Sequence, residues 1–182
     1  AIAELLCLSN PNFTNIHPFS NKKFTKGYSI ALNQLEKDLS IFTGFDATSL
    51  QPNSGAQGEF AGLMCIRDYF DSINQNHRNI AFIPTSAHGT NPASASLCGL
   101  TIVPIKCLAS GDICVVDLSE KIEKHKNNLA VLMITYPSTF GVFDENIKSI
   151  CEKIHAAGGQ VYMDGANMNA QVGLTSPATI GA

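Results

Sequence analysis

The residues from Leu129 to Thr135 form an unbroken apolar run, six apolar residues closed by a threonine, with polar segments on both sides. Such a run is typical of a central strand in a parallel sheet, because helices cover both faces of that sheet and leave no polar side to alternate. A chain that contains a strand of this kind must supply helices to cover it. This single feature therefore favours an α/β protein over an all-β or an all-helical one.

The rest of the chain alternates in the way that this strand requires. Shorter apolar runs predict further strands, and apolar residues spaced by three and four predict helices between them. The predicted strands are residues 49–51, 80–83, 101–105 and 160–164, and the predicted helices are residues 27–43, 56–73, 91–98, 117–126 and 144–157. Residues 117–120 resemble a capping box. The sequence predicts a mainly parallel sheet with helices on both faces, and an irregular segment over residues 1–26 that lies outside it.

Charge and cysteine usage narrow the function. A net charge of −3 gives no electrostatic support for nucleic-acid binding, and no apolar run approaches the roughly 20 residues of a membrane span. The six cysteines include no C-x-x-C pair, so we expect free thiols in a reducing compartment and no zinc site. Composition therefore gives no support for a nucleic-acid or membrane function.

In open α/β sheets, ligands bind beyond the carboxyl ends of the strands, and polar segments of unusual composition fall at such ends here. Small residues at Ser54, Gly55 and Ala56 open a predicted helix, where backbone N–H groups suit a phosphate. The same residues are equally compatible with an ordinary helix cap. The Rossmann glycine pattern and the Walker lysine are both missing, which argues against a dinucleotide or P-loop site.

Two further side chains follow predicted strands. His88 lies among small polar residues, where an imidazole can stack on a planar ligand or move a proton, although a lone histidine is more often structural. Asp164 ends a strand and can pair with a metal, an arginine or a pyridinium nitrogen, or can simply cap the next turn. The chain has only two arginines, Arg67 and Arg78, both on or after a helix. A cofactor cation or a metal is therefore the more interesting partner for Asp164.

Four long motifs occur in one order along the chain: QPNSGAQGE at 51–59, SAHGTNPAS at 86–94, ITYPST at 134–139 and GQVYMDGANMNAQ at 159–171. Together with NIHPF at 15–19, they resemble the C-terminal catalytic half of the glycine decarboxylase family, the P proteins of glycine cleavage systems. The resemblance runs from about residue 15 to the end of the chain. It implies the large domain of a fold-type I enzyme dependent on pyridoxal 5'-phosphate (PLP), related to aspartate aminotransferase, over residues 27–182 and incomplete.

The resemblance also implies roles for single residues. Ser54, Gly55 and Ala56 would hold the cofactor phosphate, while His88 and Ala166 would lie on opposite faces of the pyridine ring. Asp164 would bind the protonated ring nitrogen. Thr135 would lie near the phenolic oxygen of the ring or the substrate carboxylate, and His17 would approach the substrate side. His88, His17 and Thr135 are thus the residues expected to take part in catalysis, and no metal is expected.

The implied reaction is the decarboxylation of glycine and the transfer of its aminomethyl group to the lipoyl arm of the H protein. No lysine matches the Schiff-base lysine of the family, since the last one is Lys153. We therefore expect a truncated piece that binds PLP weakly and is inactive alone. The remainder or a partner subunit of the P protein would complete a homodimer or heterotetramer, in a bacterial cytoplasm or a mitochondrial matrix. The alternatives are another fold-type I amino-acid decarboxylase, a non-catalytic subunit-binding piece or, least favoured, a nicotinamide-dependent oxidoreductase.

Overall fold

The computed structural model describes residues 2–182 and consists of four strands, eight α-helices and a short 3-10 helix at Met168–Ala170. The strands are β1 Ile80–Pro84, β2 Thr101–Ile105, β3 Leu129–Thr135 and β4 Gln160–Asp164. The helices are α1 Ile2–Ser9, α2 Pro11–Thr14, α3 Lys26–Thr43, α4 Gly55–Ser72, α5 Thr90–Leu97, α6 Val115–His125, α7 Ile147–Ala156 and α8 Pro177–Ile180.

The four strands form one parallel sheet in the order β2-β1-β3-β4. The chain passes from β1 to β2 on one side and returns through β3 to the other side of β1. This reversal makes the carboxyl ends of β1 and β3 a topological switch point, where an open α/β sheet offers a crevice to a ligand. The predicted parallel α/β class is confirmed.

Helices cover both faces of the sheet. On one face, Phe82, Leu132 and Ile134 pack against α6 and α7 through residues such as Leu118 and Ile150. On the other face, Ala81, Val131 and Met133 pack against α4 and α5 through residues such as Leu63 and Ala95. Six of the seven β3 residues are buried, as its apolar run predicts.

Two predicted elements are wrong. Residues 49–51 form no strand, because no strand of the sheet lies beside them to share hydrogen bonds. Residues 1–26 are not irregular as a whole, since α1 and α2 occupy 2–9 and 11–14. Leucine, alanine and glutamate favour the helix in α1, and in α2 Asn10 caps a turn that begins with Pro11. Residue 1 lies outside the described part of the chain.

Two predicted helix starts are also wrong. In both, the acidic side chain accepts a hydrogen bond from a backbone N–H outside the helix. Asp117 does not cap α6, which begins at Val115; its carboxylate accepts the N–H of Lys106 and pairs with Lys121. The helix predicted from residue 144 begins at Ile147, because buried Asp144 accepts the N–H groups of Ile113 and Asn146.

The amphipathic helix predicted over 27–43 is present as α3, but its apolar face is uncovered. None of its residues is buried, and Leu32, Leu35 and Phe42 are exposed. Across residues 2–182, no helix is both long and apolar enough to cross a bilayer.

Candidate functional site

The first residues of α4 offer unpaired backbone donors at the carboxyl edge of the sheet. Ser54 is the N-cap, and its Oγ accepts the Gln57 N–H at 3.2 Å. The N–H groups of Gly55 and Ala56 precede the first hydrogen bond within the helix, which joins Gly58 to Ser54. A Cβ placed on Gly55 would meet no atom within 4 Å. The helix start is therefore capped and still has room for an anion.

His88 follows β1 and is fixed by its neighbours. Its Nδ1 lies 2.8 Å from Thr90 Oγ1 and 3.2 Å from the Thr90 backbone nitrogen. Thr90 Oγ1 in turn donates to Glu59 Oε1 at 2.8 Å, which links the histidine to the second turn of α4. The ring itself is exposed, so a planar ligand can reach it.

Asp164 ends β4 on the sheet face that α4 and α5 cover. One oxygen accepts the Ala166 N–H at 3.0 Å, and the other accepts the side-chain amide of Asn91 at 3.1 Å. Both donors are neutral, and neither arginine of the chain takes part in these bonds. A half-buried carboxylate that is held by neutral donors keeps its charge uncompensated, and it can therefore pair with a cationic ligand.

Thr135 ends β3 beside Asp164, its partner in the parallel ladder. Its hydroxyl oxygen is buried and has no hydrogen-bond partner among residues 2–182. Buried polar atoms are rarely left unpaired, so each one needs an explanation, such as a ligand or a water molecule that completes the bond. The Oδ1 atom of Asn91, next to Asp164, is in the same condition.

The loops after β1, β3 and β4 are tied to each other. The Asn167 side chain donates to the carbonyls of Pro137 and Ser138 at 3.0 and 3.2 Å. Thr139 Oγ1 donates to the carbonyl of Ser86 in the loop after β1. The strand ends therefore form one connected edge, in which the helix start, imidazole and carboxylate are joined through Glu59, Thr90 and Asn91.

His17 does not join this edge. Its Nδ1 accepts the Phe19 N–H at 3.1 Å, its ring packs against Phe19, and it lines a hollow with Tyr28 and Leu32 of α3. The contacts described for His17 include none to the residues after β1, β3 or β4. A substrate-side role would require this segment to pack differently against that edge.

Glu59, Thr90 and Asn91 were not predicted as site residues, although all three lie inside the motifs. Glu59 is 5% exposed and lies four residues before buried Leu63, on the inward face of α4. A charged residue at an inward position of a predicted helix is uncommon, and this was the signal in the sequence that could have identified Glu59. Asn91 is fully buried in the first turn of α5.

The pKa of Tyr162 is raised, in part by the negative charge of this region. Burial, followed by the nearby carboxylates of Asp164 and Glu59, raises the pKa of its phenol to about 12. The ring packs on α4 so closely that a Cβ on Gly62 would lie 2.7 Å from its Cε2 atom.

Taken together, these groups allow the edge to receive an anion at the start of α4, a flat ring at His88 and a cation at Asp164.

Comparison with known proteins tests the resemblance that the motifs indicate. The glycine dehydrogenase (decarboxylating) of Chromobacterium violaceum is 57% identical over 182 residues, which is all of this chain and 19% of that protein. The enzyme of the same name from Christiangramia forsetii is 59% identical over the same shares. The resemblance to the glycine dehydrogenase family is confirmed. The chain spans about a fifth of the length of these glycine dehydrogenases, and no family model matches it.

Solved structures confirm the fold. A glycine decarboxylase (P-protein) of the glycine cleavage system, in inhibitor-bound form, superposes with a TM-score of 0.76 at 13% identity, over 100% of this chain and 38% of that one. The glutamate decarboxylase domain of a protein from Vibrio parahaemolyticus gives a TM-score of 0.70 at 18% identity, over 91% of this chain and 39% of that one. The predicted fold is therefore confirmed as the one that these two decarboxylase structures share.

Proposed function

We propose that this chain forms the cofactor-binding part of a PLP-dependent glycine decarboxylase, which passes the aminomethyl group of glycine to the lipoyl arm of the H protein. The convergence of an open helix start, an exposed imidazole and a carboxylate held only by neutral donors at one sheet edge carries this proposal. The identity of 57% to a glycine dehydrogenase (decarboxylating) over the whole chain supports the choice of substrate.

The start of α4 is the proposed phosphate site. The N–H groups of Gly55 and Ala56 and the hydroxyl of Ser54 can all reach an anion placed at the positive end of this 18-residue helix. Glu59, which connects to His88 through Thr90, lies about 6 Å further along the axis from Gly55. This spacing suits a ligand that has a phosphate at one end and a flat ring at the other.

The ring is proposed to lie between His88 and Ala166, with its nitrogen at Asp164. When bound, PLP supplies an electron sink for the carbanion left by loss of carbon dioxide, and this sink is strongest while the ring nitrogen is protonated. Asp164 would hold that proton at the nitrogen by charge pairing. Asn91 and the Ala166 N–H would keep the carboxylate in place while its charge remains available to the ring.

Thr135 is proposed to orient the ligand. Its unpaired buried hydroxyl lies beside Asp164 and could donate to the phenolic oxygen of the ring or to the substrate carboxylate. A donor at either place would fix the rotation of the ring within the slot. The unpaired atom fits the proposed cofactor, because a bound oxygen would satisfy it.

The proposal is tested by titrating the chain with PLP and following the absorbance and fluorescence of the cofactor. We expect weak binding that Asp164→Asn weakens tenfold or more, since the loss of one buried charge pairing is worth at least about 1.4 kcal/mol. Asp71→Asn is the matched control. It removes the same charge from the last turn of α4, about 24 Å along the helix from Gly55.

Equal PLP affinity for the Asp164→Asn and Asp71→Asn variants would contradict the proposed cofactor site. Borohydride treatment of the PLP-loaded chain should leave no stable adduct at a specific lysine, because none matches the Schiff-base position of the family. A specific adduct found by peptide mass spectrometry would show that a lysine of this chain reaches the cofactor.

A further inference from the structure

Glu59 is a buried carboxylate held by two hydroxyl groups. Thr90 Oγ1 donates to one of its oxygens at 2.8 Å, and Ser94 Oγ donates to the other at 2.7 Å. The side chain is 5% exposed, and neither hydrogen bond comes from a cation. A buried charge is tolerated when its hydrogen bonds are satisfied, so both hydroxyl protons are needed at this carboxylate.

This arrangement has a consequence for His88, because a hydroxyl group has a single proton. If the proton of Thr90 points to Glu59, the lone pairs of Oγ1 face the imidazole, whose Nδ1 is 2.8 Å away. A hydrogen bond over that distance then requires the proton to be on Nδ1. The Thr90 N–H also approaches Nδ1, at 3.2 Å, and would require it to be bare. A bare Nδ1 would face the lone pairs of Oγ1 at 2.8 Å, unless the hydroxyl turned to donate to Nδ1 and left a Glu59 oxygen unsatisfied.

We propose that Glu59 is a positioning residue that acts through Thr90 to hold the imidazole proton of His88 on Nδ1, which leaves Nε2 as the bare nitrogen. The assignment rests on the proposed function only in giving His88 a place against the cofactor ring. The other ionisable groups of this region are Asp164, which bonds to the adjacent residue Asn91, and Tyr162.

The proposed state suits a ring that lies against a cationic ligand. A neutral imidazole can stack on a protonated pyridine without repulsion between like charges, and a bare Nε2 can accept a proton or a hydrogen bond from the ligand. The fixed Nδ1–H bond to Thr90 also sets the plane of the imidazole. Glu59 would thus determine both the orientation of the ring and which of its nitrogens is basic.

The test is 15N NMR of the histidine side chains in the full 182-residue chain without PLP, at a pH where the imidazole is neutral. Loss of one signal pair in His88→Gln assigns the resonances. We expect a protonated-type shift for Nδ1 and an unprotonated-type shift for Nε2. Thr90→Val should reverse this pattern, and Thr90→Ser should restore it. Glu59→Gln should move the tautomer ratio severalfold toward Nε2–H.

Ser94→Ala is the matched control, since it removes the other hydroxyl that donates to Glu59 and leaves the contacts of His88 unchanged. The imidazole proton should then stay on Nδ1. A proton on Nε2 in the unmodified chain would overturn the assignment whatever the variants do, and so would an unchanged Nδ1 proton in Thr90→Val. Because no cofactor is present, this result is separate from the PLP titration. A correct tautomer without Asp164-dependent PLP binding would refute the proposed function alone.

Discussion

Arg78 lies at the amino edge of the sheet, and its removal is expected to destabilise the fold strongly. Its guanidinium donates to the carbonyls of Lys126 at 3.0 Å, Leu129 at 2.8 Å and Ala157 at 3.3 Å. Lys126 and Ala157 are the C-cap residues of α6 and α7. One cation therefore satisfies carbonyls at the negative ends of two helices and at the first residue of β3.

The magnitude follows from these contacts. Each charge-assisted bond to a partly buried carbonyl contributes about 1 kcal/mol net once solvent exposure is allowed for. The two short bonds and the weaker third therefore give about 2.5 kcal/mol. The stacking of the guanidinium on Phe70, at 5.6 Å from the ring centroid, adds about 0.5 kcal/mol. We expect Arg78→Met to lower the free energy of unfolding by about 3 kcal/mol.

Urea denaturation followed by circular dichroism measures this loss, and a thermal scan should show a fall in Tm of about 6–12 °C for a chain of this size. Arg67→Met is the control, because Arg67 makes one 3.2 Å bond to the carbonyl of Arg78 and should cost about 1 kcal/mol. Arg78→Lys should recover only part of this loss, since an ammonium can replace Nη1 at the carbonyls but lacks the Nε–H that donates to Gln75 and the planar group that lies over Phe70. Equal losses for Arg78→Met and Arg67→Met would refute the reasoning.

Two further predictions concern buried ionisable groups. Because the pKa of Tyr162 is raised to about 12, the fold favours the neutral phenol, and the free energy of unfolding should fall as pH rises from about 10 to about 12. Phenolate absorbance should show that Tyr162 is the last tyrosine to ionise, and Asp164→Asn should lower its midpoint; ionisation of Tyr162 near pH 10 would contradict this. Burial raises the pKa of Cys151 to about 11, so a disulfide reagent should label exposed Cys7 and Cys65 quickly and Cys151 only on unfolding. Labelling of Cys151 as fast as Cys65, by peptide mass spectrometry, would show that its burial is wrong.

The central sheet could be predicted from the sequence because its signals are local. The apolar run of β3 and the shorter runs of β2 and β4 each specify a strand without reference to the rest of the chain, and their predicted bounds are the observed ones. Residues 49–51 contain a single apolar residue, Leu50, and have no neighbouring strand. Strand formation there depends on a partner, which local sequence does not encode.

The helix starts show the same contrast between local sequence signals and tertiary contacts. Asp117 and Asp144 precede helical patterns, which is the local signature of a cap, yet each accepts hydrogen bonds from a segment far along the chain. A carboxylate can satisfy a loop N–H as readily as a helix N–H, and tertiary packing decides which is nearer. In the same way, the sequence predicted His88 and Asp164 as strand-end residues, but not Glu59 and Asn91, whose roles depend on contacts between elements.

The polarity of the parallel sheet explains why its two edges have opposite chemistry. Helices that connect parallel strands run antiparallel to them, so helix C-termini gather at the amino edge and helix N-termini at the carboxyl edge. The negative helix ends of α6 and α7 meet at Arg78, where a permanent cation of the chain satisfies them. At the other edge, the positive end of α4 has only the cap of Ser54, and the carboxylate of Asp164 has only neutral donors. At the amino edge, the negative helix ends of α6 and α7 are thus satisfied by a cation of the chain itself. The carboxyl edge has an open helix start and a carboxylate held by neutral donors, and the proposed cofactor, with its phosphate and its protonated ring nitrogen, would complete both.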